Sequence, residues 1–232
     1  LSRHAFTESM RRGRELGLRA HTHLAESADE VEFVAVGTGL LADMANNIGW
    51  KMDAISCGGF AHTPTTELDG LEGLGADVHV AHGVHCDAAD RALLRERGTA
   101  VAICVRSNKI LGAGRPPIAD YLAEGSPIGI GTDSLASSPS LDLLEEARAA
   151  RDLALAQGYD LPDLNARIWQ AITLGGAFCL GLDGRELSGG RADQVGVLAV
   201  GALGDLAVFD VPTQGDPFAA LIDHGAGECV AT

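Results

Sequence analysis

The feature that most constrains this sequence is where its polar residues fall relative to its apolar runs. "RAHTHLAES" (19–27), "ADVHVAHG" (76–83), "TAVAICVRSN" (99–108) and "PIGIGTD" (127–133) each carry an apolar stretch that ends in His, Glu, Ser, Asn or Asp. Between these strand-like runs lie segments with helical periodicity. Residues 6–16 read as an amphipathic helix opened by a Ser or Thr cap and closed by Gly17. Ser27 caps a second, with Glu30 in the acidic third position. Further helices are expected at 87–98, at 116–125 with proline in the first turn, at 141–156 and at 164–181. Residues 37–72 have only a weak helical period and a Gly/Thr-rich stretch, and 106–114 reads as a glycine-rich loop. Strands alternating with helices of this length predict parallel βα units and an α/β fold.

From about residue 183 the texture changes to short β runs punctuated by glycine, as in "GVLAVGALGDLAVFDV" (196–211). The chain therefore divides into a main α/β body, 1–182, and part of a small β domain, 183–232. Acidic residues outnumber basic ones 32 to 17, a formal charge of −15. Nucleic-acid binding requires a cationic footprint, so that partner class is excluded. Most of these acids are expected on solvated helix faces, with "EEARAARD" (145–152) as the example. No apolar run is long enough to span a bilayer, and no basic segment followed by an apolar one opens the chain, so neither a membrane partner nor a secretion signal is expected. The five cysteines form no Cys-x-x-Cys pair, as in a cytoplasmic protein with reduced thiols.

Each polar strand end has an ordinary explanation when taken alone. A strand histidine is commonly a packed side chain, and Gly-Thr-Asp or Ser-Asn is common turn chemistry. Their order at βα spacing points elsewhere. In a (β/α)₈ barrel the reactive groups come from the C-terminal ends of several strands. Residues two apart on a strand face one side, so His21 and His23 could both aim at one metal. In that case "HTH" would be the first strand. A whole barrel takes about 250 residues, or about 31 per unit. From His23 to Asp133 is 133 − 23 = 110 positions, room for three or four units and not seven. If Asp133 ends strand eight, "HTHLAE" is strand five, "VHVAH" strand six and "AICVRSN" strand seven.

In this pattern the chain resembles the amidohydrolase superfamily, in its cytosine-deaminase-like, chlorohydrolase and adenosine-type deaminase branch. The residues that carry the resemblance are "HTHLAES" (21–27), "AHGVHCD" (81–87), "RSNKILGAG" (106–114) and "GTDSLASSPSLDLLEE" (131–146), with 196–211 similar to the return into that branch's β-sandwich domain. The resemblance implies a (β/α)₈ TIM-like metal-dependent hydrolase barrel, here its C-terminal half with strands five to eight and part of the β-sandwich. It implies one divalent metal per subunit, Zn²⁺ or alternatively Fe²⁺, held by a His-x-His pair on strand one, a histidine on strand five and an aspartate on strand eight. Carried over, His23 and Asp133 are metal ligands, and Glu26 moves protons to the substrate. His82 orients the attacking water or the developing oxyanion, and Asp133 also accepts the water's proton. Glu26, Arg106, Ser107, Asn108 and Ser137 are the residues expected around the substrate. His85 is expected to support the site or the fold, and His21 to line the barrel beside the ligand.

The chemistry fits these residue types: a zinc-bound water has its pKa lowered toward ~7, so hydroxide is available near neutrality. Glu26 can then protonate a ring nitrogen and help ammonia leave, general acid–base help typically worth ~10²–10⁴-fold. The implied reaction is hydrolytic deamination of a purine or purine-nucleoside-like small molecule by a homodimer or higher homo-oligomer. Within the branch the chain is most similar to aminodeoxyfutalosine deaminases of menaquinone biosynthesis and to methylthioadenosine/S-adenosylhomocysteine deaminases. The alternatives are a chlorohydrolase acting on triazines or another amidine or amide hydrolase, and an inactive truncated barrel. A binuclear site with a bridging lysine is disfavoured, because the only lysines, Lys51 and Lys109, sit at no suitable strand end. The strand-one His-x-His and the early strands have no counterpart in this chain. About 150–200 further N-terminal residues are expected in the whole protein, and the chain alone is expected neither to close a barrel nor to hold zinc tightly. Position 105 departs from the family, which often has proline where this sequence has Val105.

Overall fold

A computed structural model describes residues 2–184 and 194–232. The opening of the expected small domain, residues 185–193, lies outside the described residues. Helix α1 (Arg3–Glu15) starts earlier than its periodicity suggested, because Ser2 caps it by accepting the Ala5 N–H at 3.2 Å. Strand β1 (Ala20–Leu24) follows, and then α2 (Ala28–Val36), capped by Ser27 and closed by left-handed Gly37.

The 37–72 region is helical in three short pieces, α3 (Leu40–Asn47), α4 (Asp53–Cys57) and α5 (Pro64–Gly70). Its glycines are turn residues, and Gly37 and Gly59 also have no room for a side chain. A Cβ at either would lie 2.2 Å from a backbone carbonyl oxygen. Next come β2 (Val78–His82), α6 (Ala88–Arg97) with an Asp87/Asp90 capping box, and β3 (Ala100–Ile103). Where a loop was expected, α7 (Val105–Leu111) begins almost at once and ends at left-handed Gly112. The remaining βα units are α8 (Ile118–Ala123), β4 (Ile128–Ile130) and α9 (Leu143–Ala156).

The expected 164–181 helix is interrupted. Helix α10 (Leu164–Gln170) passes through a π-helical turn (Ala171–Gly175) into α11 (Gly176–Leu180). Beyond it lie β5 (Val208–Phe209), α12 (Pro217–His224) and β6 (Cys229–Ala231). Strands β5 and β6 pair antiparallel. Helix α12 was not foreseen; it packs on α9 and α10 with Ile222 fully buried.

The parallel sheet runs in the order β1-β2-β3-β4, so each strand neighbours the next in sequence. With helices between the strands this is the succession of βα units expected of part of a barrel. Val78, Val80, Val101, Ile103, Ile128 and Ile130 join Ile118, Tyr121 and Leu153 in one core beneath the flanking helices. All five cysteines are free, and burial pushes the thiols of Cys86 and Cys179 up to about 11 and that of Cys104 to about 12. No helix among the described residues is long and apolar enough to cross a membrane.

Candidate functional site

The sheet has two unlike faces. Across the paired strands His23 aligns with Ala81, Ala81 with Ala102, and Ala102 with Gly129. Residues directly opposite in a ladder point to the same side. His23 therefore stands beside a row of the smallest side chains, and the valines and isoleucines between them fill the other face.

At the strand ends the backbone leaves the extended region. Ala25, His82 and Asp133 have φ of 49°, 76° and 60°. Left-handed non-glycine residues cost of order 1–3 kcal/mol each and concentrate where a side chain must be aimed. Strand alternation would send His82 into the core after Val80. The positive φ ends that alternation, and the His82 ring stacks on that of His23 with centroids 5.0 Å apart. Neighbouring bonds hold the turn: Gly83 N–H donates to Leu24 O at 3.0 Å, His85 N–H to Ala25 O at 2.9 Å and Tyr121 OH to Gly83 O at 3.1 Å.

The turn after β1 is fixed by Glu30, whose carboxylate accepts the N–H groups of Ala25 and Glu26 at 2.8 Å each. It thus presents Glu26 toward His82, with Oε1 3.7 Å from Nε2. One ligating atom from each of His23, Glu26 and His82 lies within 4.8 Å of the others, close enough for a single metal ion. Imidazole and carboxylate donors suit zinc or ferrous iron. On its other side His82 Nδ1 lies 3.3 Å from Oδ1 of fully buried Asn108.

Asp133 is outside that group of three and is held separately. The hydroxyls of Ser107 and Ser137 donate to its Oδ2 at 2.7 and 2.8 Å and stand 2.9 Å from each other. Burial alone would raise the Asp133 carboxyl. The two hydroxyls, a backbone bond at Ser134 and the nearby His82 outweigh it and hold the group below the usual aspartate value.

The structure thus brings His23, Glu26 and His82 together, with Asp133 near His82. It gives Ser107, Ser137 and Asn108 to the support of Asp133 and His82. It does not bring Arg106 to the cluster: that guanidinium lies 2.9 Å from Glu145 Oε2 and 3.3 Å from Ser140 Oγ, at the start of α9. His85 Nε2 donates to Ala113 O at 2.7 Å and pins the turn after α7. His21 lies against His79 with the rings tilted and their centroids 4.2 Å apart, below the cluster.

Sequence reasoning missed one residue outright. "EEARAARD" does not lie wholly on a solvated face, because Glu146 is fully buried and its Oε1 accepts the Arg106 N–H at 2.9 Å. A solvated stripe and a buried acid look alike in a single helical turn.

The sequence profile of the amidohydrolase family matches residues 2–227. The 5-methylthioadenosine/S-adenosylhomocysteine deaminase of Natronomonas pharaonis is 33% identical over 205 residues, which is 88% of this chain and 40% of that protein. The 8-oxoguanine deaminase of Pseudomonas aeruginosa is 32% identical over 212 residues, again 88% of this chain and 40% of the relative. Among solved structures, an adenosine deaminase from Xanthomonas campestris with bound zinc superposes with a TM-score of 0.75 at 26% identity, over 97% of this chain and 46% of its own. The chain spans about 40% of the length of these curated relatives.

Proposed function

Because the chain belongs to the amidohydrolase family, we propose that the whole protein is a hydrolytic deaminase of purines or purine nucleosides. The observation that carries this is the convergence of His23, Glu26 and His82 at adjacent strand ends, with Asp133 braced nearby by two serine hydroxyls. The deaminase names of the relatives support the reaction, and their purine and nucleoside substrates support the class. The reading extends to adenosine-type nucleosides, 6-amino-6-deoxyfutalosine among them.

His23 and Asp133 would hold one divalent metal, zinc or alternatively iron, with the remaining ligands supplied from outside this chain. A metal there supplies Lewis-acid chemistry and acidifies water. The residues described here do the rest. Asp133, whose Oδ2 accepts from Ser107 and Ser137, would touch the metal through one oxygen and take the proton of the attacking water through the other. His82, fixed through Nδ1 by Asn108, offers Nε2 to the oxygen that adds to the ring. Glu26 protonates the ring nitrogen beside the carbon that bears the amine, the amine then receives the proton that Asp133 took from the water, and Glu26 regains a proton from the added hydroxyl as the carbonyl forms. Water adds, the exocyclic C–N bond breaks and ammonia leaves.

The test is ammonia release by the whole protein from a panel of 5′-methylthioadenosine, S-adenosylhomocysteine, adenosine, 8-oxoguanine and 6-amino-6-deoxyfutalosine, with and without chelation. Metal-dependent release from at least one member is expected. Release from none, or dechlorination of a chlorotriazine without any deamination, overturns the reading.

A further inference from the structure

We propose that Glu146 is a positioning residue for the site: it caps α7 from across the fold and thereby sets Ser107 and Asn108, and through them Asp133 and His82. This rests on the functional reading above and extends it to a residue that touches neither substrate nor metal.

The starting point is a helix without a cap of its own. The first N–H groups of any helix lack intrahelical partners. Six of the twelve α-helices among the described residues meet that need locally, as Ser2, Ser27, Thr63, Asp87, Asp142 and Asp216 do with their own side chains. Helix α7 does not. Its N-cap is Cys104, which makes no side-chain capping bond. Helix α7 leaves β3 almost without a loop, so its first turn is packed against the fold, with Cys104, Ser107 and Asn108 buried and Val105 and Arg106 partly so.

Glu146, in the first turn of α9, fills that role. Its Oε1 accepts the Arg106 N–H at 2.9 Å, and the Val105 N–H also bonds to it. A carboxylate facing the positive end of a helix is favoured by the helix dipole as well as by the hydrogen bonds. Glu145 and Ser140 hold the Arg106 side chain from the same end of α9.

What makes this cap matter for the site is the two residues that follow. Ser107 donates to Asp133 Oδ2, and Asn108 meets His82 Nδ1. Both are fully buried and lie one turn from the cap. A fraying of that turn would move both braces at once. Conversely, the Oε2 of Glu146 makes no hydrogen bond among the described residues, although it is buried, and its counter-charge is the Arg106 guanidinium, with Nε 3.8 Å away. Keeping a buried carboxylate oxygen near Asp133 with a long ion pair and no hydrogen bond is costly. A residue kept only for stability would be better served by an apolar side chain, so the acceptor at Oε1 is the feature that justifies a carboxylate here.

The test compares Glu146→Gln, which keeps an acceptor at the Oε1 position, with Glu146→Ala, which removes it, both in the whole protein. Amide hydrogen exchange over residues 104–111 reads the cap directly, without reference to catalysis. Faster exchange in the Ala variant and near wild-type exchange in the Gln variant are expected. On the substrate that the panel identifies, Ala should lower kcat roughly 10–100-fold, as loss of a supporting residue does, with KM within about threefold. Gln should restore most of that loss. A folded Ala variant with unchanged exchange and unchanged kcat overturns the proposal, as does a Gln variant as impaired as Ala. If Ala does not fold, Glu146→Gln beside Glu146→Met decides the same point, because Met fills the space without accepting. If the panel yields no activity in any variant, the deaminase reading fails while the exchange data still decide the cap.

Discussion

Two histidine pairs stand on the open face of the sheet at different heights along it. His23 and His82 meet at the strand ends; His21 and His79 are paired in register further down. The upper pair is surrounded by groups that fix it: a left-handed turn at His82, Asn108 against its Nδ1, and Glu26 within reach of Nε2. The lower pair has none of this. His79 bonds to the backbone at Cys179 of α11, and its Nδ1 is buried without a partner among the described residues. Burial first, then the neighbouring His21 and Arg19, push its pKa down to about 4, so this imidazole is neutral across the physiological range. The same residue type on the same face of the sheet is chemistry at the top and packing at the bottom. The difference lies in what the strand end supplies, namely a break in alternation and loops that bring a second layer of polar side chains.

If that division holds, substitutions in the two pairs should differ by orders of magnitude. Glu26→Gln in the whole protein should lower kcat by ~10²–10⁴-fold, the range for a lost general acid–base group, and leave the bound metal in place. Metal loss in this variant, measured by elemental analysis, would make Glu26 a ligand alongside His23 and His82, as their mutual distances permit. His79→Gln should leave kcat within a few-fold. A drop at His79 as large as at Glu26 would erase the distinction between the pairs.

A smaller effect is expected from the groups that brace Asp133. Each of Ser107→Ala and Ser137→Ala leaves one hydroxyl on Oδ2, so the single variants should be mild and the double variant should lose roughly 10–100-fold in kcat/KM. Their 2.9 Å contact means the two effects should not add. Additive losses would show that the hydroxyls act independently, as substrate contacts expected from the sequence would, rather than as one clamp on Asp133.

Much of this was legible before the structure. The parallel βα order and the four polar strand ends follow from apolar runs that alternate with helical segments, and the grouping of His23, Glu26 and His82 was what the resemblance to the family implied. The second layer was not legible. That Ser107 would turn to Asp133 and Asn108 to His82 depends on 106–111 being helix, and "RSNKILGAG" gives glycines that read equally as loop. Only the tertiary contact with Glu146 lets that helix start where it does. Likewise, no single-residue signal marks the left-handed φ at His82, since histidine occurs in every backbone region, and it is this angle that separates His82 from the core face shared by Val80. The helical 37–72 region was obscured for a similar reason: its three helices are each too short for periodicity to stand out, and Gly37 and Gly59 are there for close backbone approaches.

The smallest effect expected is on stability, and it concerns the lower pair. His79 has its folded pKa near 4 against an ordinary value of 6.5. Between those values the unfolded chain binds a proton that the folded chain refuses, so stability rises with pH there and is lost as pH falls from about 6.5 toward 4. His21 is shifted in the same direction, by burial and then by His23, and adds to the slope. Because His79 is only half-buried, solvent screening reduces its contribution to on the order of 1 kcal/mol. Replacing His79 with Gln removes the titration, so the variant's denaturation midpoint should fall less steeply than wild type across pH 6.5 to 4.5. Parallel slopes for the two proteins would mean that His79 gains a proton without resistance. The lower pair would then be hydrated in the whole protein, and burial would not be what keeps it out of the chemistry.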